Sequence, residues 1–323
     1  MKNLYIYIIF FKAIFFFNCW GQQNKTEIIH QSNLVYHPIK EISGRFCAEV
    51  SINGSLKEFL ILDSGMSSGL IMLDSAYFYD NIYNNELELL DIDYNMIYYQ
   101  KFYKGLLSVE VSNNNFMTEF AKIEVNTRFQ ELNKIRNPKL MGMLGVDIFS
   151  EKITIINFKD SLIAISDTLI VDFDLKDFVI VNLERAREIK KGNKDWRYLK
   201  FEGFITKDNK VKNGLFLLDT GNSRNEMVMK SSFGKDLQYD KKETLISGYN
   251  MGAEDWLWKS DTLILGNIFK THNVEIAISK LPESHDWVEG LSGGDGLIGL
   301  TFLKKFDIVI LDYKNDKLYL KVY

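Results

Sequence analysis

The chain has 323 residues, 46% of them hydrophobic and 25% charged, a balance that supports packed cores of about two domains and excludes a disordered or fibrous chain. The net charge of −4 is small and no basic stripe interleaves with aromatic residues, so nucleic acid is not an expected partner. Cys19 and Cys47 are the only cysteines, too few for a disulfide framework, which leaves stability to apolar packing.

At the N-terminus, Lys2 precedes an apolar stretch from Leu4 to Phe17 that is interrupted only by Lys12, and Gly21 then offers a small residue for cleavage. The uninterrupted run is too short for a membrane span and no other long one follows. Residues 1–21 therefore read as a secretory signal, and the mature chain as secreted or periplasmic. Cleavage after Gly21 is one outcome; cleavage before Cys19, with a lipid anchor on that cysteine, is the other.

The mature sequence opens with strand-like runs at residues 47–52 and Glu58–Leu62, separated by Asn53-Gly54. Both turn residues tolerate positive φ, so this pattern predicts a hairpin. The second half repeats the design, with runs at 201–206 and 215–218 around Asp208-Asn209. Each second strand ends in an aspartate: Leu62-Asp63-Ser64-Gly65 and Leu218-Asp219-Thr220-Gly221.

Further landmarks recur in the same order. Met143-Leu144-Gly145 ends 82 residues after Asp63 and Leu297-Ile298-Gly299 ends 80 after Asp219; Tyr94-Asn95-Met96 begins 31 after the first aspartate and Tyr249-Asn250-Met251 begins 30 after the second. Similar strand-like segments close each copy, at 153–159 and 308–314. This is a duplicated unit of roughly 150 residues, and two copies suit a pair of lobes better than a solenoid. Lobes at 22–172 and 173–323 follow. Strand-favouring residues dominate, with 16 Tyr and 23 Phe against three prolines. Helix is expected only at 149–152 and 302–305, with a further candidate at 183–191. The fold class is all-β.

Two carboxylates held close together cannot both ionise cheaply, so such a pair keeps one proton over a wide pH range and titrates as a unit. The ionised member can draw a proton from a shared water while the protonated member donates to a carbonyl oxygen. Hydrophobic-hydrophobic-Asp-Ser/Thr-Gly followed by hydrophobic-hydrophobic-Gly, twice over about residues 43–323, resembles the aspartic peptidases, and most closely the retropepsin-like aspartyl proteases found in bacteria. The resemblance implies two pseudo-symmetric acid-protease β-barrel lobes around a central cleft. It implies that Asp63 and Asp219 form a catalytic dyad, that Ser64, Gly65, Thr220 and Gly221 hold the two loops together, and that Gly145 and Gly299 pack behind them. Tyr94 and Tyr249 fall where such enzymes carry a flap over the substrate. The implied activity is that of a secreted aspartic endopeptidase acting on a peptide or protein substrate, with no metal or other cofactor, and able to work as a monomer.

Two departures stand out: Met66 and Asn222 replace the small residue that usually follows the motif glycine. Met66 adds bulk at the cleft, and Asn222 adds a hydrogen-bonding group beside a carboxylate. They keep open an alternative, an envelope peptide-binding protein that retains the fold without useful hydrolysis. Other chemistries find little support. Asp91-Ile92-Asp93 opens like a calcium loop but lacks its glycine and closing carboxylate, residues 292–296 are glycine-rich without the Gly-Lys-Ser/Thr of a phosphate loop, and the four histidines have no metal-ligand spacing.

Overall fold

A computed structural model describes residues 34–42, 44–66, 69–94, 99–111, 114–134, 139–169, 174–189, 195–208, 210–223, 225–234, 241–244, 254–266, 269–279 and 294–321. The expected signal segment, Cys19 and Tyr249 lie outside these residues. Among the described residues no helix is long and apolar enough to cross a membrane.

The hairpin predicted around Asn53-Gly54 joins Arg45–Ile52 to Glu58–Leu62, with Cys47 opposite Ile61. Both turn residues take positive φ, 52° and 73°, as a tight turn matched to strand twist requires. Gly142–Leu144 then inserts between two segments that the chain visited earlier. It runs parallel to Glu58–Leu62, with Leu62 opposite Leu144, and antiparallel to Leu70–Asp74. Asn114–Asn126 extends this order beside Leu70–Asp74, Tyr99–Val111 pairs with Asn114–Asn126, and Val50 opposite Val111 returns to the first strand. Six strands thus form a closed ring, which leaves no free edge within it.

The second copy repeats this path. Asp195–Lys207 and Lys210–Asp219 form the hairpin, with Lys200 opposite Leu217. Gly296–Gly299 inserts parallel to Lys210–Asp219 and antiparallel to Met227–Met229. Where the first copy uses the unbroken Tyr99–Val111 strand, the second uses two pieces, Glu254–Lys259 and Thr262–Leu265, interrupted at Ser260-Asp261. The first piece pairs with Glu275–Ser279 and the second returns to Asp195–Lys207.

Between the lobes lies a sheet to which both contribute. Its order is Phe178–Asn182, Lys317–Lys321, Ile308–Asp312, Ile153–Asn157, Leu162–Ser166 and His37–Ile42. The corresponding strands of the two copies meet antiparallel at its centre, where Ile155 faces Ile310. Their near-continuous apolar sequences follow from burial on both faces. Ile156, Val309 and Leu311 join the core that runs into the lobes, whereas Ile155, Ile310 and Tyr319 pack under Leu34, Tyr36 and Leu175.

Local expectations fare unequally. The turns after the two glycines are Val146–Ile148, a 3-10 turn, and Leu300–Leu303, each starting two or three residues before the predicted helices. The charged segment expected as helix at 183–191 is instead the strand Glu184–Ile189, paired antiparallel with Asp195–Lys207 from Glu184 opposite Lys200 to Ile189 opposite Asp195. Its helix-favouring composition yields to an available strand partner, since propensity is worth only tenths of a kcal/mol per residue, about 0.7 at most. The helix Ser75–Asn81 was not expected; Asp74 caps it by accepting from the Tyr77 N–H at 3.0 Å.

Ile310 is fully buried in the interlobe sheet. Ile310→Ala is expected to cost about 3 kcal/mol through lost transfer energy and the cavity left behind, read as a lower urea midpoint with an unchanged m-value.

Candidate active site

Both aspartates sit where a hairpin strand stops and the chain turns toward the other lobe. The Asp63 N–H donates to Leu144 O at 2.9 Å, and Asp219 lies opposite Gly299 in its parallel pair. The inserted strand that carries each hydrophobic-hydrophobic-Gly motif therefore supports the strand that delivers the carboxylate. Immediately after each motif glycine, a backbone N–H reaches back to the aspartate loop. Val146 donates to Met66 O at 3.2 Å and Leu300 to Asn222 O at 2.7 Å. Gly299 cannot take a side chain in this arrangement, because a Cβ there would lie 2.6 Å from Asn222 O.

The two loops are locked by a buried, reciprocal set of four hydrogen bonds. The Ser64 hydroxyl donates to Leu218 O at 3.0 Å and accepts from the Thr220 N–H at 3.0 Å; the Thr220 hydroxyl donates to Leu62 O at 2.7 Å and accepts from the Ser64 N–H at 2.9 Å. Both side chains are inaccessible to solvent, so each hydroxyl satisfies groups that would be costly to leave unpaired. Sequence suggested that these residues hold the loops together. The structure brings Ser64 and Thr220 into that contact.

The glycines bring the carboxylates together. A Cβ at Gly65 would lie 2.5 Å from Asp219 Cγ, and one at Gly221 would lie 2.2 Å from Asp63 Cγ. Each carboxyl group thus rests on the opposite loop at a distance that only glycine permits. The two carboxyl groups share a side-chain hydrogen bond. Asp63 Oδ1 accepts from Gly65 N–H at 2.8 Å, while Asp219 Oδ1 accepts from both Gly221 and Asn222 N–H, at 2.9 and 3.0 Å. The extra bond anticipated from Asn222 comes from its backbone. Met66 is buried, and its main chain occupies the same supporting position as that of Asn222.

Burial raises the Asp63 pKa from its ordinary value, against the opposing effects of the hydrogen bond with Asp219, the Gly65 N–H and the Arg45 cation. Asp219 is raised well above its ordinary value, first by burial and then by the charge of Asp63 and their shared hydrogen bond. A dyad that shares one proton and titrates as a unit follows from these directions.

Tyr94 closes Glu88–Tyr94, whose hairpin with Tyr99–Val111 places Tyr94 opposite Tyr99. In the second copy, residues 245–253 connect the corresponding strands Lys241–Thr244 and Glu254–Lys259. Tyr249 belongs to that connection and is outside the described residues. The side chain of Tyr94 likewise lies outside what the structure describes. Sequence reading missed Arg45, whose Nη1 donates to Gly221 O at 3.3 Å across the lobe boundary. The signal available was hairpin register, which carries residue 45 back beside the aspartate. Among the described residues no group of three or more His, Cys, Asp or Glu is placed to hold a metal.

The fold is all-β: duplicated strand rings, a shared sheet and two aspartate loops joined at their boundary. Solved structures similar to this chain include a retropepsin-like aspartic protease from Rickettsia conorii, 14% identical over 44% of this chain and 89% of that one, with a TM-score of 0.28. Basic 7S globulin from soybean is similar over 90% of this chain and 96% of its own, at 9% identity and a TM-score of 0.44. No protein-family model matches the chain, and no curated protein matches its sequence.

Thr220→Val keeps volume but removes the partner of the Ser64 N–H and Leu62 carbonyl. Two buried backbone groups lose hydrogen bonds, so a loss of about 2–4 kcal/mol in chemical denaturation is expected.

For Asp219, the unfolded chain loses its proton above the ordinary value of 3.8 while the folded chain keeps it. Folding then takes up a proton, and stability falls as pH rises from 3.8 toward the raised value. Asp219→Asn has no such proton to lose at that position. Denaturation at a series of pH values should show the variant gaining on wild type as pH increases through this window.

Proposed function

We propose that the chain is an aspartic endopeptidase whose dyad activates one water between Asp63 and Asp219. The observation that carries this reading is the reciprocal seating of each carboxyl group against the opposite motif glycine, 2.2 and 2.5 Å from where a Cβ would stand. It supports one shared catalytic centre built from both halves. The protonation pattern supports a division of labour: ionised Asp63 takes a proton from water as the water oxygen attacks the amide carbon, while Asp219 donates its proton to the carbonyl oxygen. Collapse of the tetrahedral gem-diol, with proton transfer to the departing nitrogen, breaks the C–N bond and releases carboxyl and amine products. No covalent link to the protein forms in this sequence.

In this reading the chain resembles a bacterial retropepsin-like enzyme with both halves in one polypeptide, so it can act as a monomer. An extended peptide binds between the lobes by strand pairing beneath the flaps that the sequence suggests at Tyr94 and Tyr249. Residues 1–21 direct the chain to the periplasm or the exterior, with Cys19 as a lipid site if cleavage occurs before it. No metal or cofactor is invoked by this chemistry.

The test is incubation of residues 22–323 with a diverse peptide library across about pH 3–8, read by mass spectrometry. Wild type is expected to cleave, with a pH profile limited on both sides. Asp63→Asn and Asp219→Asn should each lower the rate by at least about 10²-fold, the lower end for losing a positioned acid or base. Tight peptide binding without turnover by folded wild type would instead favour the envelope binding protein.

A further inference from the structure

The two halves of the site match closely in backbone and differently in charge. Arg45 begins the Arg45–Ile52 strand and donates to the carbonyl of Gly221 at 3.3 Å. Gly221 is the residue against which the Asp63 carboxyl group rests. A half-buried guanidinium from the first lobe is thereby held beside the second lobe's motif loop, on the side of Asp63.

The duplication supplies an internal control. Cys47 faces Ile61, two residues before Asp63, and Lys200 faces Leu217, two residues before Asp219. Counting back two residues along each first strand gives Arg45 in one copy and Tyr198 in the other. Among the described side chains, the fixed cation acting on the dyad comes from the first copy. Among the described groups, the charged side chains acting on Asp63 are Asp219 and Arg45, whereas Asp219 meets the Asp63 charge and the Gly221 and Asn222 N–H donors.

From this geometry we infer that Arg45 is a positioning residue that fixes the proton on Asp219 and keeps Asp63 as the ionised, water-activating member of the dyad. It does so through the field of its permanent charge and by holding Gly221 against Asp63, without touching the reacting atoms. An arginine suits the task because its guanidinium stays protonated throughout the range in which carboxylates titrate. A tyrosine at the corresponding place supplies no such charge. Asp219 accepts two backbone N–H bonds where Asp63 Oδ1 accepts one, and against that difference Arg45 supplies the permanent charge that favours the ionised form of Asp63.

The catalytic consequence rests on the peptidase reading, but the proton assignment does not, and the test separates them. Carboxyl carbons of 13C-labelled aspartate would be followed by NMR in the full-length mature chain, with Asp63→Asn and Asp219→Asn spectra providing assignments. Arg45→Gln is expected to move the lower apparent pKa of the dyad upward by about half a pH unit or more, since a nearby opposite charge favours the ionised carboxylate. Arg45→Lys retains the charge and should restore most of the shift. Where peptides are cleaved, the acid limb of kcat/KM should move upward with the titration. Matching urea midpoints would establish that each variant is folded.

An unmoved lower pKa in folded Arg45→Gln overturns the inference even if cleavage persists. Equal loss in Arg45→Gln and Arg45→Lys, with the titration unchanged, assigns Arg45 to lobe packing alone and overturns it as well. If wild type cleaves nothing but the titration shifts as expected, the peptidase reading fails while the proton assignment stands.

Discussion

The arrangement depends on two hydroxyl groups, Ser64 and Thr220, each inserted into the backbone of the other copy. Their four bonds close a ring across the lobe boundary, in which each side chain donates to a carbonyl two residues before the other's position and accepts from an N–H. Such groups have no alternative partner in a dry interior, and leaving one unpaired costs about 1–3 kcal/mol. The ring therefore fixes the relative position of the aspartate loops more sharply than apolar packing could. Once they are fixed, the glycines determine how near the carboxylates approach, and that approach determines their shared proton. The pairing of the carboxyl groups is a consequence of the bonding beneath it.

The interlobe sheet performs the same task at larger scale. Its central strands are corresponding segments of the repeat, paired antiparallel at Ile155 and Ile310, so the relation between lobes is written into ordinary ladder geometry. Both faces are buried, one toward the lobes and one under residues from the chain's connecting segments. Apolar burial supplies strength here, and the hydroxyl ring supplies registration. The buried aspartates oppose both, because a carboxyl group taken from water favours its neutral form.

Much of this was legible before any coordinates. Matched spacing identified the duplication, and the Asp-Ser/Thr-Gly triplets pointed to the six residues that meet at the boundary. What sequence could not supply was context. The run Glu184-Arg185-Ala186-Arg187-Glu188 has the composition of a helix and forms a strand because Asp195–Lys207 offers it a ladder. Asp74 was an available helix-cap signal for Ser75–Asn81, yet the strand-rich surroundings obscured it. Arg45 escaped notice because its importance lies in a partner 176 positions away. Local patterns reveal elements, while long-range pairings decide which exceptions matter.

The interrupted ribbon of the second copy shows that duplication has not produced mechanical equality. Tyr99–Val111 continues without a break from the Tyr94 hairpin to its pairing with Arg45–Ile52, whereas the corresponding path of the second copy is divided at Ser260-Asp261. A continuous strand, even one whose ladder is bulged between Tyr103 and Gly105, is a beam, and a divided one is two shorter beams with a joint. Force applied where Glu88–Tyr94 meets Tyr99–Val111, or on Lys241–Thr244 and Glu254–Lys259, would therefore travel into the molecule by unequal routes, spread along one lobe and concentrated at a corner in the other.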